Sequence, residues 1–442
     1  MNAQALRLSG YFQIFSMVLF FLSSCSGYKS NKLGTVHIES KSGKFTLYRN
    51  GQPYFIKGAA GFTNLKALRE AGGNTIRTWD TTHVGKILDE AQANHLAVII
   101  GLEVPHSDYL DYFYNDPVQV STQFNDYKKV VEKYKDHPAL LMWCVGNELA
   151  FPFRPRFNKF YKHYNALVNM VHEVDPNHPV TTAQGKLDQK DVFNIKLRTN
   201  TDIISFNVFG GIKILSKQLK DFAWYWDGPY IITEWAMEGP WYKSAQTPWG
   251  ASLEGSSTKK AEEILQTYRK FMPVNDPRFL GSMVFYWGQK QEITHTWFSL
   301  FSPEGAKSET VGTMQYIWTG KGPEHNAPQI KYMLVDGKGA RDSLIYKPNT
   351  LSKAELFLED INPEIADLKW EILPEDWFKK DKLLPNMVKP KPINGLIVSQ
   401  AGNKLSFKMP AAEGPYRIFA SVYDKYGNFA TCNTPFYVVN TQ

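Results

Sequence analysis

From about Gly58 to Trp318 the chain alternates short apolar runs with segments of helical periodicity, the pattern of repeated βα units. Tyr54 to Lys57, Asn74 to Trp79, Leu96 to Gly101, Leu140 to Glu148, Pro179 to Ala183, Asp202 to Phe206, Tyr230 to Trp235 and Gly281 to Trp287 read as strands. Leu65 to Ala71, Val84 to Asn94, Gln123 to Lys135, Phe157 to Val174, Leu215 to Trp224 and Lys259 to Phe271 read as helices, and Gly312 to Trp318 closes the series. Eight strand-like runs, each followed by a helix or a long loop, are what a closed (β/α)8 barrel requires. The predicted fold class is therefore α/β, with the barrel over residues 53–319. A doubly wound open sheet is the alternative, but no glycine-rich phosphate fingerprint follows the first strand.

The period changes on either side. Residues 26–52 read as a polar tether and a small β cap, in which Asn50-Gly51 signals a hairpin. Beyond the Gly/Pro-rich linker Thr319 to Pro323 the period falls to about two. Lys331 to Val335, Ala354 to Leu358, Leu368 to Ile372, Leu396 to Ser399, Leu405 to Lys408, Tyr416 to Tyr423 and Ala430 to Val438 predict an all-β immunoglobulin-like sandwich over residues 328–442. Asp376 to Pro392, rich in lysine and proline, reads as an exposed loop between two of these strands. At the other end, residues 1–25 read as a signal peptide: Arg7 precedes an apolar stretch from Tyr11 to Leu22, too short for an ordinary membrane-spanning helix. Leu22-Ser23-Ser24-Cys25 resembles the lipobox of bacterial lipoproteins, which implies lipidation at Cys25. The expected location is the bacterial cell envelope, periplasmic or surface-exposed, with the chain held to a membrane through its N-terminal lipid.

Composition narrows the function classes. Across 442 residues, 43% hydrophobic and 21% charged describe a globular protein. The net charge of +7 comes from scattered lysines with no basic stripe, so no nucleic-acid partner is expected. With Cys25 set aside, only Cys144 and Cys432 remain; they fall in different predicted domains and imply no disulfide framework. The histidines show no metal-ligand spacing, so neither a catalytic metal nor a cofactor is expected. Asp424 to Asn428 lacks the further acidic ligands of a calcium loop and reads as a hairpin turn.

The candidate chemistry lies at two strand ends. The run Leu140 to Val145 is apolar throughout and, past Gly146, ends in Asn147 and Glu148; Tyr230 to Trp235 likewise carries Glu234. A barrel builds its reactive surface at the C-terminal ends of its strands. Two carboxylic groups about 5–5.5 Å apart, one donating a proton and one attacking the anomeric carbon, suit glycoside hydrolysis with retention. Tyr134 to Ala139 followed by Trp143 to Glu148 resembles the acid/base strand of the clan A retaining glycoside hydrolases, most nearly the family 2 catalytic barrel, and Ile231 to Trp235 resembles its nucleophile strand. Gly73 to Arg77 matches the clan's second strand, and Trp287 falls where its eighth-strand tryptophan sits.

The resemblance implies that Glu148 is the general acid/base, Glu234 the nucleophile and Asn147 the contact to the sugar 2-hydroxyl. Arg77 would hold Glu234 ionised, and that charge would keep Glu148 protonated. Trp287 is expected beneath a sugar ring, with Trp235 and Trp241 flanking the cleft. Where the clan carries a Tyr or His that donates to the nucleophile, this chain reads Asn207-Val208-Phe209, so Asn207 is the expected replacement donor. Glu103, His106, Asp108 and Gln184 lie at other strand tops and could meet substrate hydroxyls, and Glu238 is a rival to Glu234. The expected activity is that of a retaining β-glycosidase acting on an oligo- or polysaccharide, with carbohydrate as its partner. The same motifs are compatible with a β-glucan transglycosylase, since Phe55 to Gly58 with Asn74 to Thr78 also resembles glucan-remodelling barrels. A non-catalytic glycan-binding lipoprotein is the reading of another class.

Overall fold

The computed structural model describes residues 35–241, 244–359, 364–376 and 388–440. Cys25 and its motif lie outside the described residues, as does most of the loop expected at Asp376 to Pro392. Three short antiparallel strands come first: β1 (Val36–Lys41), β2 (Lys44–Arg49) and β3 (Gln52–Pro53). Asn50 and Gly51 turn β2 into β3 with positive φ, as the hairpin signal requires.

The barrel follows, with strands β4 (Ile56–Ala60), β5 (Thr75–Arg77), β6 (Ala97–Leu102), β7 (Leu140–Asn147), β8 (Val180–Gln184), β9 (Ile203–Asn207), β10 (Tyr230–Trp235) and β11 (Phe279–Phe285). Each pairs in parallel with the next, and β11 closes on β4. A helix follows every strand: α1 (Leu65–Glu70), α2 (Val84–Ala93), α3 (Pro117–Tyr134), α4 (Asn158–Val174), α5 (Gln189–Arg198), α6 (Ile212–Asp221), α7 (Ser257–Phe271) and α8 (Glu309–Thr319). Gly312 to Trp318 thus lies inside α8. The first barrel strand begins at Ile56, later than the apolar run suggested. Tyr54 is held back by the cap, with its N–H on Leu47 O (2.8 Å) and its hydroxyl donating to Asn74 O (2.8 Å).

Two layers of side chains stabilise the barrel. Outward-facing residues such as Val98, Ile100 and Trp143 pack under the helices, while Ile99, Met142, Cys144 and Met283 fill the interior. Val36, Ile38 and Leu47 of the small sheet join that interior cluster. Burying each such aliphatic side chain contributes about 1.5–3 kcal/mol. The cap therefore plugs one end of the barrel, and the large concave surface is left at the C-terminal ends of the strands.

The remaining strands form two four-stranded sheets. One runs β12 (Ile330–Val335), β14 (Leu351–Leu358), β17 (Lys404–Lys408), β16 (Ile397–Ala401); the other runs β13 (Ile345–Tyr346), β19 (Phe429–Val438), β18 (Gly414–Asp424), β15 (Ile365–Pro374). The two-residue β13, paired in parallel with β19, is too short to leave a periodic signal in the sequence. Asp424 caps the β18–β19 hairpin, accepting from the N–H groups of Tyr426 and Asn428 (2.8 Å each).

The sheets are docked on the start of α7. Ser256 Oγ donates to Ile330 O (3.0 Å), Thr258 Oγ1 accepts from Ile330 N (2.8 Å), and Ser257 Oγ accepts from Thr431 N (2.9 Å). Arg417 donates to Ser252 O (2.8 Å) and Asn433 to Glu254 Oε2 (2.7 Å). Glu254, whose side chain is only 1% exposed, also pairs with Lys260 and accepts from Thr294 (2.6 Å) and Thr296 (2.8 Å). Those two threonines belong to the loop that leaves β11, so one carboxylate ties barrel, loop and sandwich together.

Candidate active site

The end of β7 is shaped by backbone conformations that few residues adopt. Gly146 has φ 75°, and a Cβ there would stand 2.2 Å from Leu149 Cδ1, so glycine is required. Glu148 takes φ 55°, the left-handed region, which costs an L-residue about 1–2 kcal/mol. It is held there in part by its N–H on Ala183 O (2.8 Å). Gly185, just past β8, faces it: an added Cβ would come 3.2 Å from Glu148 Cδ.

Glu234 lies opposite Asn207 in the β9–β10 pairing, and Arg77 reaches it from β5. Arg77, fully buried, donates through Nη1 to Glu234 Oε1 (3.1 Å) and Asn207 Oδ1 (3.2 Å), and through Nη2 to Asn147 Oδ1 (3.0 Å). Asn207 turns its amide nitrogen to Glu148 Oε1 (2.8 Å) and Asn147 Oδ1 (3.2 Å), while its oxygen also accepts from Thr233 Oγ1 (2.9 Å). A continuous bridge results: Glu148, Asn207, Arg77, Glu234. The second donor to Glu234 is the indole of Trp79, at 2.8 Å from the same Oε1.

Both glutamates line one cavity of about 770 Å³, with Asn147, Phe209, Trp241, Phe285, Tyr286 and Lys290 among its walls. Their surroundings differ. Glu148 is exposed, whereas Glu234 is 5% exposed. Burial pushes the Glu234 carboxyl up to about 7, the nearby Glu148 charge adds to the rise, and Arg77 and Trp79 act against it. Arg77 and Trp79 both aim their donors at Glu234 and favour its charged form against that burial. Among the described residues, no cluster of three or more His, Cys, Asp or Glu is arranged to hold a metal ion.

Residues 83–242 match the family model described as glycosyl hydrolases family 2, TIM barrel domain. The barrel resembles that of glycosyl hydrolase family 2. The family 2 match spans Glu148, Asn207 and Glu234 and leaves out Arg77 and Tyr286. A β-glucuronidase of Paenibacillus borealis is 23% identical over 228 residues, 45% of this chain and 35% of that protein. One of Chlorocebus aethiops is 23% identical over 237 residues, 47% of this chain and 32% of that protein. The chain thus spans about a third of the length of these curated relatives. A crystal structure of Bacteroides uniformis β-glucuronidase aligns with TM-score 0.48 and 14% identity, covering 92% of this chain and 48% of that one.

Against the family 2 pattern, the structure brings Arg77, Asn147, Glu148, Asn207 and Glu234 together and separates others. Asn207 does not make the expected contact to Glu234; its amide donates to Glu148, and Arg77 and Trp79 are the donors to Glu234 among the described residues. Trp287 is no platform. It is fully buried, packed on Phe301 and Trp318, with its indole on Asn64 O (3.3 Å). Trp235 is also fully buried, against Tyr268 of α7, because successive strand residues point to opposite faces and Glu234 takes the inner one. Glu103 and His106 are exposed on the rim and do not line the cavity. Glu238 is outside it as well, ion-paired with Lys213.

Trp241 does line the cavity, stacked on Phe298 (5.4 Å between centroids) and bonded to Glu292 (2.6 Å). The aromatic faces the sequence reading missed are Trp79 and Tyr286, which stack at 5.7 Å, and Phe285. One signal was available for the first: Trp79 stands two positions after Arg77, on the same face of an extended chain.

Proposed function

We propose that this chain is a retaining β-glycosidase in which Glu234 is the nucleophile and Glu148 the general acid/base. The observation that carries this reading is the bridge through Asn207 and Arg77, which links two cavity-lining glutamates on β7 and β10 while giving them unlike surroundings. Glu234 attacks the anomeric carbon as the glycosidic C–O bond breaks, and Glu148 gives its proton to the leaving oxygen. Glu148 then takes a proton from water, whose oxygen displaces Glu234 and regenerates the carboxylate. Asn147, whose amide nitrogen makes no hydrogen bond among the described residues, is free to reach the sugar 2-hydroxyl. Its neighbours in the network fix its orientation before substrate arrives.

The family 2 match and the β-glucuronidase relatives support a β-linked sugar as substrate, and β-glucuronides belong in the substrate panel beside neutral β-linked oligosaccharides. A fluorinated sugar that traps the glycosyl-enzyme is expected to label Glu234, read by peptide mass mapping. Label on any other residue would overturn the assignment. We further propose that the mature chain is lipid-anchored in the bacterial envelope, on the strength of Leu22 to Cys25. Cys25→Ser should move the protein from the membrane to the soluble fraction; an unchanged membrane fraction would refute the anchor.

A further inference from the structure

Two loops meet over the cavity of the two glutamates. Trp241 belongs to the loop after β10 and Glu292 to the loop after β11, and both side chains line that cavity. The Trp241 indole donates to Glu292 Oε1 (2.6 Å). Its ring stacks on Phe298 (5.4 Å between centroids, 25° between planes) and meets Phe209 edge-on (5.1 Å, 76°). The ring also folds back over Gly239, where an added Cβ would stand 1.9 Å from Trp241 Cζ3, so a larger residue there would displace it.

Trp241 is thus held by Glu292, Phe298, Phe209 and the bare backbone of Gly239, yet it stays 52% exposed. A tryptophan combines a large apolar face with a single polar atom, and here that atom already has its partner. The sequence therefore keeps a rigid apolar surface open beside the reacting carboxylates. A face of this kind suits the C–H side of a pyranose ring, whose hydroxyls project from its edge.

A donor for such hydroxyls stands beside Glu292. Lys290 lines the same cavity, and its Nζ makes no hydrogen bond among the described residues. Glu292 Oε2 lies 3.6 Å away, beyond hydrogen-bond reach, so it balances the ammonium charge without occupying its donors. A balanced pair suits hydroxyl groups better than an anion. The cavity, at about 770 Å³, lies towards the upper end of small-molecule sites, about 300–1,000 Å³, and has room for more than the one ring that Glu234 attacks.

We propose that Trp241 is the platform for a second sugar ring, the neighbour of the one attacked, and that Glu292 is the positioning residue that fixes the platform's orientation. The inference rests on the glycosidase reading and deepens it: the substrate is an oligo- or polysaccharide, and a lone sugar with a small aglycone fills only part of the site.

The test is titration calorimetry into full-length Glu148→Gln protein, a background that slows turnover. The ligands are cellobiose, laminaribiose, β-1,4-mannobiose, β-1,4-galactobiose and cellobiouronic acid, each beside the methyl β-glycoside of its non-reducing sugar. We expect at least one disaccharide to bind about five- to tenfold tighter than its methyl glycoside, and Trp241→Ala to erase that preference while leaving the methyl glycoside unchanged. Glu292→Leu, which removes the acceptor, should weaken the preference, and Glu292→Gln, which keeps a carbonyl oxygen for the indole, should restore it. Melting temperatures show that each variant is folded. The proposal is overturned if no disaccharide is preferred, or if the preference survives Trp241→Ala; the positioning role falls if Glu292→Leu and Glu292→Gln bind alike. Because binding is read without turnover, failure of the parent to hydrolyse any aryl β-glycoside would defeat the glycosidase reading separately.

Discussion

Glu234 and Glu254 are both buried glutamates paired with a buried cation, and their surroundings drive them in opposite directions. Glu254 meets Lys260, Thr294, Thr296 and Asn433, with donors on both of its oxygens. Burial alone would raise it, yet Lys260 and these donors hold it below the usual carboxylate range. Among the described residues Glu234 has two donors, Arg77 and Trp79, both on Oε1, and burial raises it. A saturated carboxylate is a structural tie; one left half-satisfied at a cavity wall retains a lone pair for chemistry. Buried charge is therefore not one kind of feature, and the count of donors separates the two uses.

Reciprocal substitutions break the comparison most sharply. Glu234→Gln should lower kcat on an aryl β-glycoside by three orders of magnitude or more, roughly the scale of losing a nucleophile, and should also lower stability, because it leaves the buried Arg77 without its counter-charge. Glu254→Gln should lower stability and leave kcat close to the parent's. It leaves Lys260 buried without its counter-charge and should cost about 3–5 kcal/mol of unfolding free energy, measured by denaturant titration. If Glu254→Gln is as stable as the parent, the structural role assigned to Glu254 is wrong.

Trp79→Phe keeps the ring and deletes one of the two donors on Glu234. A hydrogen bond to a charged group is worth about 1.5–3 kcal/mol, so kcat/KM should fall roughly ten- to a hundredfold. The pH profile sharpens this. Glu234 must be ionised to attack, so activity in the parent should rise with pH through about 7. Removing a donor to the charged form raises the pKa, and the acidic limb of the Trp79→Phe profile should move to higher pH. A limb that stays in place would mean that the indole does not tune the carboxylate. The smallest effect is expected at Phe209→Tyr, which restores a hydroxyl where the clan pattern has its donor. With Trp79 already on Oε1, kcat/KM should change by no more than about threefold.

Much of this was legible in the order of residues. The βα alternation marks the barrel because each strand is a contiguous apolar run, and Asn147-Glu148 and Glu234 are visible because a carboxylate abruptly ends or interrupts such a run. Contacts across the barrel leave no such trace. Nothing local says that Trp79 of the second strand reaches Glu234 of the seventh, or that the Asn207 amide nitrogen turns to Glu148 and not to Glu234. Trp235 and Trp287 were misread because a tryptophan in a core and one in a cleft look alike in sequence. For Trp235 the two-residue period already placed it opposite Glu234, and hence against α7. Glu254 gives no signal, since its partners come from α7, from the loop after β11 and from β19.

The docking of the sheets on the first turn of α7 has a mechanical meaning. Ser256, Ser257, Thr258 and Arg417 hold the two parts side by side through contacts that do not involve Thr319 to Pro323, so that segment bears no load. A chain nicked there by a protease would remain one particle in gel filtration and melt in one transition. The connection between barrel and sandwich is a seam along their sides, and the peptide that joins them is only slack.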